Sequence, residues 1–152
     1  MVSEPVKVAF IGAGMMAVEH LKAFADIPEC QIVGIQSRTR GKCEALSKAF
    51  QIPFIAGSIA ELYEKTRPDL VVITVNETSM REVCVEAFKF PWRFLIEKPV
   101  GIDYEEAGYL AGLAAEPAMR RLGEEMRGGR SLAEQGERLV ACLIRLGPLA
   151  VR

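Results

Sequence analysis

A chain of 152 residues, 50% hydrophobic and 26% charged, has the size and composition of one ordinary globular domain with a core of its own, not of a disordered segment. Its 19 basic and 20 acidic residues leave a formal net charge of −1, which removes the electrostatic case for nucleic acid or an anionic membrane as partner. No apolar run approaches the roughly 18–20 residues that span a bilayer, and Met1–Lys7 lacks a basic leader and a small-residue cleavage site, so no signal peptide is expected.

Val6–Ile11 is a short apolar run ending at Gly12, as suits a central parallel strand buried on both faces. Met15–Ala25 predicts a helix with Leu21, Phe24 and Ala25 on its buried face, closed by Pro28. Gln31–Gln36 predicts a second strand, and Gly41–Phe50 a second helix with Cys43, Leu46 and Phe50 at helical spacing. Phe54-Ile55 is a brief third strand. Ser58 is placed to cap a short helix through Lys65, with Glu61 three residues on as a capping-box partner. Arg67–Asp69 is a turn, and Leu70–Val75 is the strongest buried-strand signal in the chain. Thr78–Phe88 predicts a helix, Arg93–Ile96 a fifth strand, and Asp103 the cap of a helix running to about Ala115. Strands alternating with helices at this rhythm predict βαβ units, a doubly wound parallel sheet and right-handed crossovers.

Three stretches carry chemistry. "VAFIGAGMMA" places Gly12, Gly14 and Ala17 in a G-x-G-x-x-A pattern between a strand and a helix. Gly12 permits the tight turn, Gly14 lets backbone approach a pyrophosphate, and Ala17 allows close helix–strand packing. The phosphates would meet free amides and the positive helix end around Ile11–Ala17, with Met15 and Met16 in the first helical turn. A bare packing turn is the alternative to this dinucleotide site.

At the end of the second strand the sequence reads Gln36-Ser37-Arg38-Thr39-Arg40, where an NAD-selective site usually has an acid for the ribose 2′-hydroxyl. Ser37 cannot repel a 2′-phosphate and Arg38 offers it a cationic fork, with Arg40 and Lys42 nearby, so the sequence leans to NADP over NAD. The alternatives are a solvated basic turn or an arginine stacked on adenine without choosing between the two cofactors. The third stretch, Phe94–Gly101, ends a strand with Glu97-Lys98-Pro99. A lysine there can hydrogen-bond a substrate hydroxyl or carbonyl and steady developing charge, oriented by Glu97, with Pro99 stiffening the turn through a cis peptide. A surface ion pair is the plainer reading. Cys30, Cys43, Cys84 and Cys142 stand far apart without a C-x-x-C, and His20 is the only histidine. A reduced, cytoplasmic chain without a metal site is therefore expected.

Taken together, these motifs resemble the glucose–fructose oxidoreductase/inositol dehydrogenase (Gfo/Idh/MocA) family over roughly Val6–Ala115. "TVNETS" at Thr74–Ser79 is similar to that family's Thr-Pro-Asn segment, with Val75 in the usual proline position. The resemblance implies a Rossmann NAD(P)-binding fold and hydride transfer between nicotinamide and a sugar, cyclitol or related polyol or ketone. By the same resemblance Thr74, Val75 and Asn76 line the nicotinamide-ribose side, Glu97 and Lys98 form the E-K-P pair, and Lys98 is the catalytic candidate. His20 matches a histidine often found in the first helix of such proteins; a partly buried packing role suits it better than catalysis.

After Glu116 the composition changes. Pro117–Arg152 holds 7 Arg, no Lys and five Gly, whereas Met1–Glu116 holds 7 Lys and 5 Arg. Residues 1–118 are expected to form the dinucleotide-binding domain and 119–152 an atypical, partly helical tail. The family's C-terminal α/β substrate domain is expected to be lacking, the tail being an out-of-frame end to a shortened gene. The competing expectation is a genuine helix, Leu132–Leu146, packed on the sheet. Without the second domain the isolated chain would bind cofactor with weak or no turnover, serve instead as a non-catalytic binding, sensor or scaffold module, or self-associate through exposed apolar surface.

Overall fold

The computed structural model describes the backbone of residues 4–127 and the side chains of residues 4–115, so the Leu132–Leu146 helix expected from the sequence lies outside the described residues. In chain order the elements are β1 (Val6–Ile11), α1 (Met15–Ala25), β2 (Cys30–Gln36), α2 (Arg40–Phe50), β3 (Ile55–Ala56), α3 (Ile59–Thr66), β4 (Leu70–Ile73), α4 (Glu77–Ala87), β5 (Arg93–Ile96) and α5 (Tyr104–Arg127). The five strands form one parallel sheet in the order β3-β2-β1-β4-β5. Strand order reverses direction between β1 and β4, which opens a crevice at the carboxyl ends of the strands.

Strand alternation sorts the core into two layers. Val8 and Phe10 of β1, Ile35 of β2 and Leu70 and Val72 of β4 face α1 and α2, packing with Leu21, Phe24 and Cys43. Ala9, Ile11, Val71 and Ile73 face the other way, toward Ile59 and Leu62 of α3, Met80, Cys84 and Ala87 of α4, and Leu110 of α5. Every one of these β1 and β4 residues is at most 3% exposed, as the continuous apolar runs require. Trp92, fully buried, donates its indole N–H to the Ala87 carbonyl at 2.8 Å, so its single polar atom is satisfied.

A bulge interrupts β2: Val8 pairs with Ile32 but Ala9 pairs with Gly34, leaving Val33 unmatched. Gly34 sits under α3, where a Cβ would lie 2.8 Å from Leu62 Cδ1, and the missing side chain lets the helix close on the strand.

Several details differ from the sequence expectation, most boundaries by a single residue. The third strand is Ile55-Ala56 rather than Phe54-Ile55, because the Phe54 carbonyl already accepts from Ile35 N as the chain enters the ladder. β4 ends at Ile73, two residues short of Val75. Ala25 is exposed; Ala17, Leu21 and Phe24 make the buried face of α1, and Ile27 beyond the helix completes it. α5 runs on through Pro117 to Arg127, beyond Ala115. One proline removes one backbone donor, and the Ala, Met, Arg, Leu and Glu residues that follow are good helix formers.

Candidate functional site

The carboxyl ends of β1, β2 and β4 and the amino ends of the helices after them border an open cleft of about 1140 Å³. That exceeds the roughly 300–1,000 Å³ typical of sites for drug-sized molecules. Ile11, Gly12, Gly14, Ser37, Arg38, Thr74, Val75 and Asn76 all line it, so β1, β2 and β4 bring eight of the residues singled out in the sequence to one place.

The floor is the turn after β1. Gly12 N donates to the Gln36 carbonyl at 2.8 Å, and Thr74 N donates to the Ile11 carbonyl at 2.8 Å, pinning the turn between β2 and the β4–α4 connection. Gly12 has φ +111, and a Cβ on it would come within 2.6 Å of Thr74 Oγ1 and 2.7 Å of the Thr74 carbonyl oxygen. Only glycine meets both conditions. At Gly14 a Cβ would meet nothing within 4 Å, so its side of the turn opens into free space. Ala17 is fully buried beneath this turn, whereas Met15 is 79% exposed and Met16 borders on exposed.

Helix capping divides the molecule in a telling way. α3 is self-capped, with Ser58 Oγ accepting from Glu61 N at 3.0 Å and Glu61 Oε2 accepting from Gly57 N at 2.6 Å. α5 repeats the device with Asp103 Oδ1, Glu106 N, Glu106 Oε2 and Ile102 N. The N-caps of α1, α2 and α4, namely Gly14, Thr39 and Asn76, make no side-chain cap bond, and all three helices begin at the cleft. Amides without a side-chain cap suit an anion at the starts of α1 and α2, whereas α4 carries Glu77 in its first turn. No acidic residue stands in the first turn of α1 or α2.

At the end of β2, Ser37 Oγ accepts from Thr39 N at 3.3 Å, and Arg38 Nη2 donates to Ser79 Oγ on α4 at 2.8 Å. Lys42 also lines the cleft, and no carboxylate stands at the β2 terminus. Cys43 lies beneath Ser37; burial raises its thiol pKa, against the lowering effect of Arg40 and of the Ser37 hydroxyl. The thiol is held protonated rather than poised for reaction.

The end of β5 departs from expectation. Glu97 does not orient Lys98: its Oε1 accepts from His20 Nε2 at 3.0 Å, with only 14% of the His20 and 15% of the Glu97 side chain exposed. The physical reason is proximity across the β5–α1 seam, where both groups leave solvent together and each satisfies the other. His20 is thus a buried bonding partner as well as a packing residue. Lys98 is exposed, precedes a cis peptide to Pro99, and with Glu97 lies outside the cleft lining.

Sequence reasoning missed the opposite end of the cleft. Arg81 of α4 stacks over the Tyr109 ring of α5 at 4.8 Å and stands 3.8 Å from Glu106 Oε1. Nothing in the sequence signals a pairing between residues on successive helices with a strand between them. Ser79, 6% exposed, entered the sequence reading only as the last residue of the TVNETS segment and as part of a helix. Among the described residues no group of three His, Cys, Asp or Glu is arranged to hold a metal ion, and no helix is long and apolar enough to cross a membrane.

A 3-2-1-4-5 parallel sheet with a glycine turn, uncapped helix ends and a cleft at its switch point defines a Rossmann domain of the dinucleotide-binding class. The sequence matches the oxidoreductase family with an NAD-binding Rossmann fold, Gfo/Idh/MocA, over residues 6–121, and the chain belongs to that family. No curated protein sequence matches it. Solved structures share the fold. GenD2 from gentamicin A biosynthesis, in complex with NAD, is 19% identical with a TM-score of 0.70 over 78% of this chain and 34% of that one. An oxidoreductase from Agrobacterium radiobacter, in complex with NAD+, L-tartaric acid and magnesium, is 23% identical with a TM-score of 0.69 over 74% and 33%. KijD10, a 3-ketoreductase from Actinomadura kijaniata in complex with NADP and TDP-benzene, is 23% identical with a TM-score of 0.66 over 83% and 43%. The chain therefore spans about a third to two fifths of the length of these relatives.

Proposed function

We propose that residues 1–118 bind NADP(H) in preference to NAD(H) in this cleft, as the cofactor half of an oxidoreductase acting on a sugar, cyclitol or related polyol or ketone. The observation that carries the reading is the cleft itself, with a glycine turn that excludes a Cβ at Gly12, open space at Gly14 and three helix N-termini without side-chain caps. The residues fit the group. Backbone amides of Gly14, Met15, Met16 and Ala17 would hold the pyrophosphate. Ser37, Arg38 and Lys42 would receive the adenosine ribose, and the lack of an acid there favours a 2′-phosphate. Thr74, Val75 and Asn76 would border the nicotinamide ribose. When bound, the nicotinamide supplies the hydride donor or acceptor; Lys98 would then orient the substrate oxygen and steady its charge.

A second reading is a cofactor-binding module without turnover. It is favoured by the exposure of Lys98 outside the cleft lining and by the commitment of Glu97 to His20. Self-association is proposed from the exposed Ile102, Tyr104 and Tyr109, and sedimentation velocity that found only monomer would refute it.

The test of the main reading is a titration of the purified chain with NADPH and with NADH, followed by reduced-nicotinamide fluorescence. Saturable binding is expected, with a preference for NADPH that Arg38→Ala abolishes. No binding of either at millimolar concentration overturns it. Binding without oxidation or reduction across a panel of sugars and polyols selects the second reading.

A further inference from the structure

Arg38 is already occupied in the folded chain. Its Nη2 donates to Ser79 Oγ, and the two residues come from opposite walls of the cleft: Arg38 from the end of β2, Ser79 from the first turn of α4. Both residues line the cleft, Arg38 from the β2 side and Ser79 from the β4 side, with β1 between those two strands. Ser79 is itself firmly placed. It is 6% exposed, and its amide donates to the Asn76 carbonyl at 3.0 Å.

A guanidinium has five N–H donors in a rigid plane, and a phosphate is a far better partner for them than a neutral hydroxyl, since the bonds are charge-assisted and bidentate. Ser79 holds one of the two bidentate edges of the guanidinium, and offering that edge to a 2′-phosphate beside Ser37 requires Arg38 to let go of Ser79. A cofactor without the phosphate gives Arg38 no reason to move. The bond to Ser79 therefore opposes NADPH and leaves NADH untouched. The apparent dissociation constant rises by the inverse of the fraction of molecules in which Arg38 is free.

We propose that Ser79 is a specificity-determining residue, which restrains the preference for the phosphorylated cofactor by holding Arg38 across the cleft. This rests on the reading that Arg38 receives the 2′-phosphate, and it adds a residue on a separate helix that sets how strongly it does so.

The experiment measures NADPH and NADH dissociation constants by fluorescence for the wild-type chain, Ser79→Ala, Ser79→Thr, Arg38→Ala and the Arg38→Ala/Ser79→Ala double variant, with thermal melts confirming that each is folded. Ser79→Ala is expected to tighten NADPH roughly three- to tenfold, the worth of one net hydrogen bond, with NADH changed less than twofold. Ser79→Thr, which keeps the acceptor oxygen, keeps the wild-type ratio. In the Arg38→Ala background, Ser79→Ala shifts neither constant. Weaker NADPH binding, or an equal shift for both cofactors, overturns the proposal, because Ser79 then presents Arg38 or shapes the cleft in general. If Arg38→Ala leaves the NADPH-to-NADH ratio unaltered in otherwise normal binding, the phosphate reading has failed. If the wild type binds neither cofactor, the site itself has failed; each of these two results overturns the Ser79 proposal with it.

Discussion

Replacing Gly12 and Gly14 in turn by alanine separates the fold from the site. At Gly12 the added methyl meets Thr74 Oγ1 at 2.6 Å and the Thr74 backbone oxygen at 2.7 Å, and the backbone at φ +111 disfavours any side chain. A strained φ costs about 1–3 kcal/mol and overpacking a similar amount, so Gly12→Ala should lose roughly 2–6 kcal/mol. That is a large share of the 5–15 kcal/mol typical of a domain, and it lowers the melting temperature by at least about 6 °C. Gly14 has φ −87 and no atom within 4 Å of where a Cβ would stand, so Gly14→Ala should stay within about 1 kcal/mol of wild type. Its methyl instead stands where a pyrophosphate would approach the α1 amides, weakening NADPH binding at least about fivefold. Circular-dichroism melts and fluorescence titrations read the two effects. A Gly12→Ala chain that melts with the wild type, or a Gly14→Ala chain that binds as tightly, would refute the reasoning.

Three further perturbations address the scaffold. His20→Ala strips a nearly buried Glu97 carboxylate of its donor and should destabilise by about 1–3 kcal/mol in urea unfolding; a loss under about 0.5 kcal/mol would show the bond to be idle. Gly34→Ala should lose about 1–3 kcal/mol against Leu62 Cδ1, and combining it with Leu62→Ala should cost less than the two losses summed, a non-additivity that a double-mutant cycle measures. Burial raises the Cys84 thiol from its ordinary value of 9.0 to about 12, so the folded chain keeps a proton that the unfolded chain releases. Stability should therefore fall as pH rises through the window between about 9 and about 12, and urea midpoints for Cys84→Ala should fall less steeply there.

The sequence made plain what depends on local pattern. Val8–Ile11 and Leu70–Ile73 announce themselves as buried strands because parallel strands covered on both faces are apolar without alternation. Ser58 and Glu61 signal the start of α3 through a spacing that only a helix turn makes useful. Gly12 and Ala17 were readable because the turn forces their small size, and Gly14 through the G-x-G-x-x-A spacing. The Glu97 expectation failed for the opposite reason. A carboxylate takes whichever donor the tertiary fold brings closest, and His20 lies on an element at the other end of the chain. Arg38 was readable as a cation at the β2 terminus, but its partner Ser79 was not, since nothing local links β2 to α4. The last helix outran its expected end near Ala115 because a single proline within otherwise favourable helical sequence does not end a helix when the neighbouring turns compensate.

The placement of β1 between β2 and β4 also has a consequence in time. β1 is made first, yet its Val8–Ile11 segment gains its second neighbour only when Leu70–Ile73 has been synthesised. At about 5–20 residues per second, those 60 or so residues take roughly 3–12 s, during which one side of the central strand is bare. The glycine turn lacks its Thr74 wall for the same interval. A nascent chain cannot use cofactor to hold its sheet together until α4 has emerged, so the first half of the sheet must assemble on its own ladder hydrogen bonds and hydrophobic contacts.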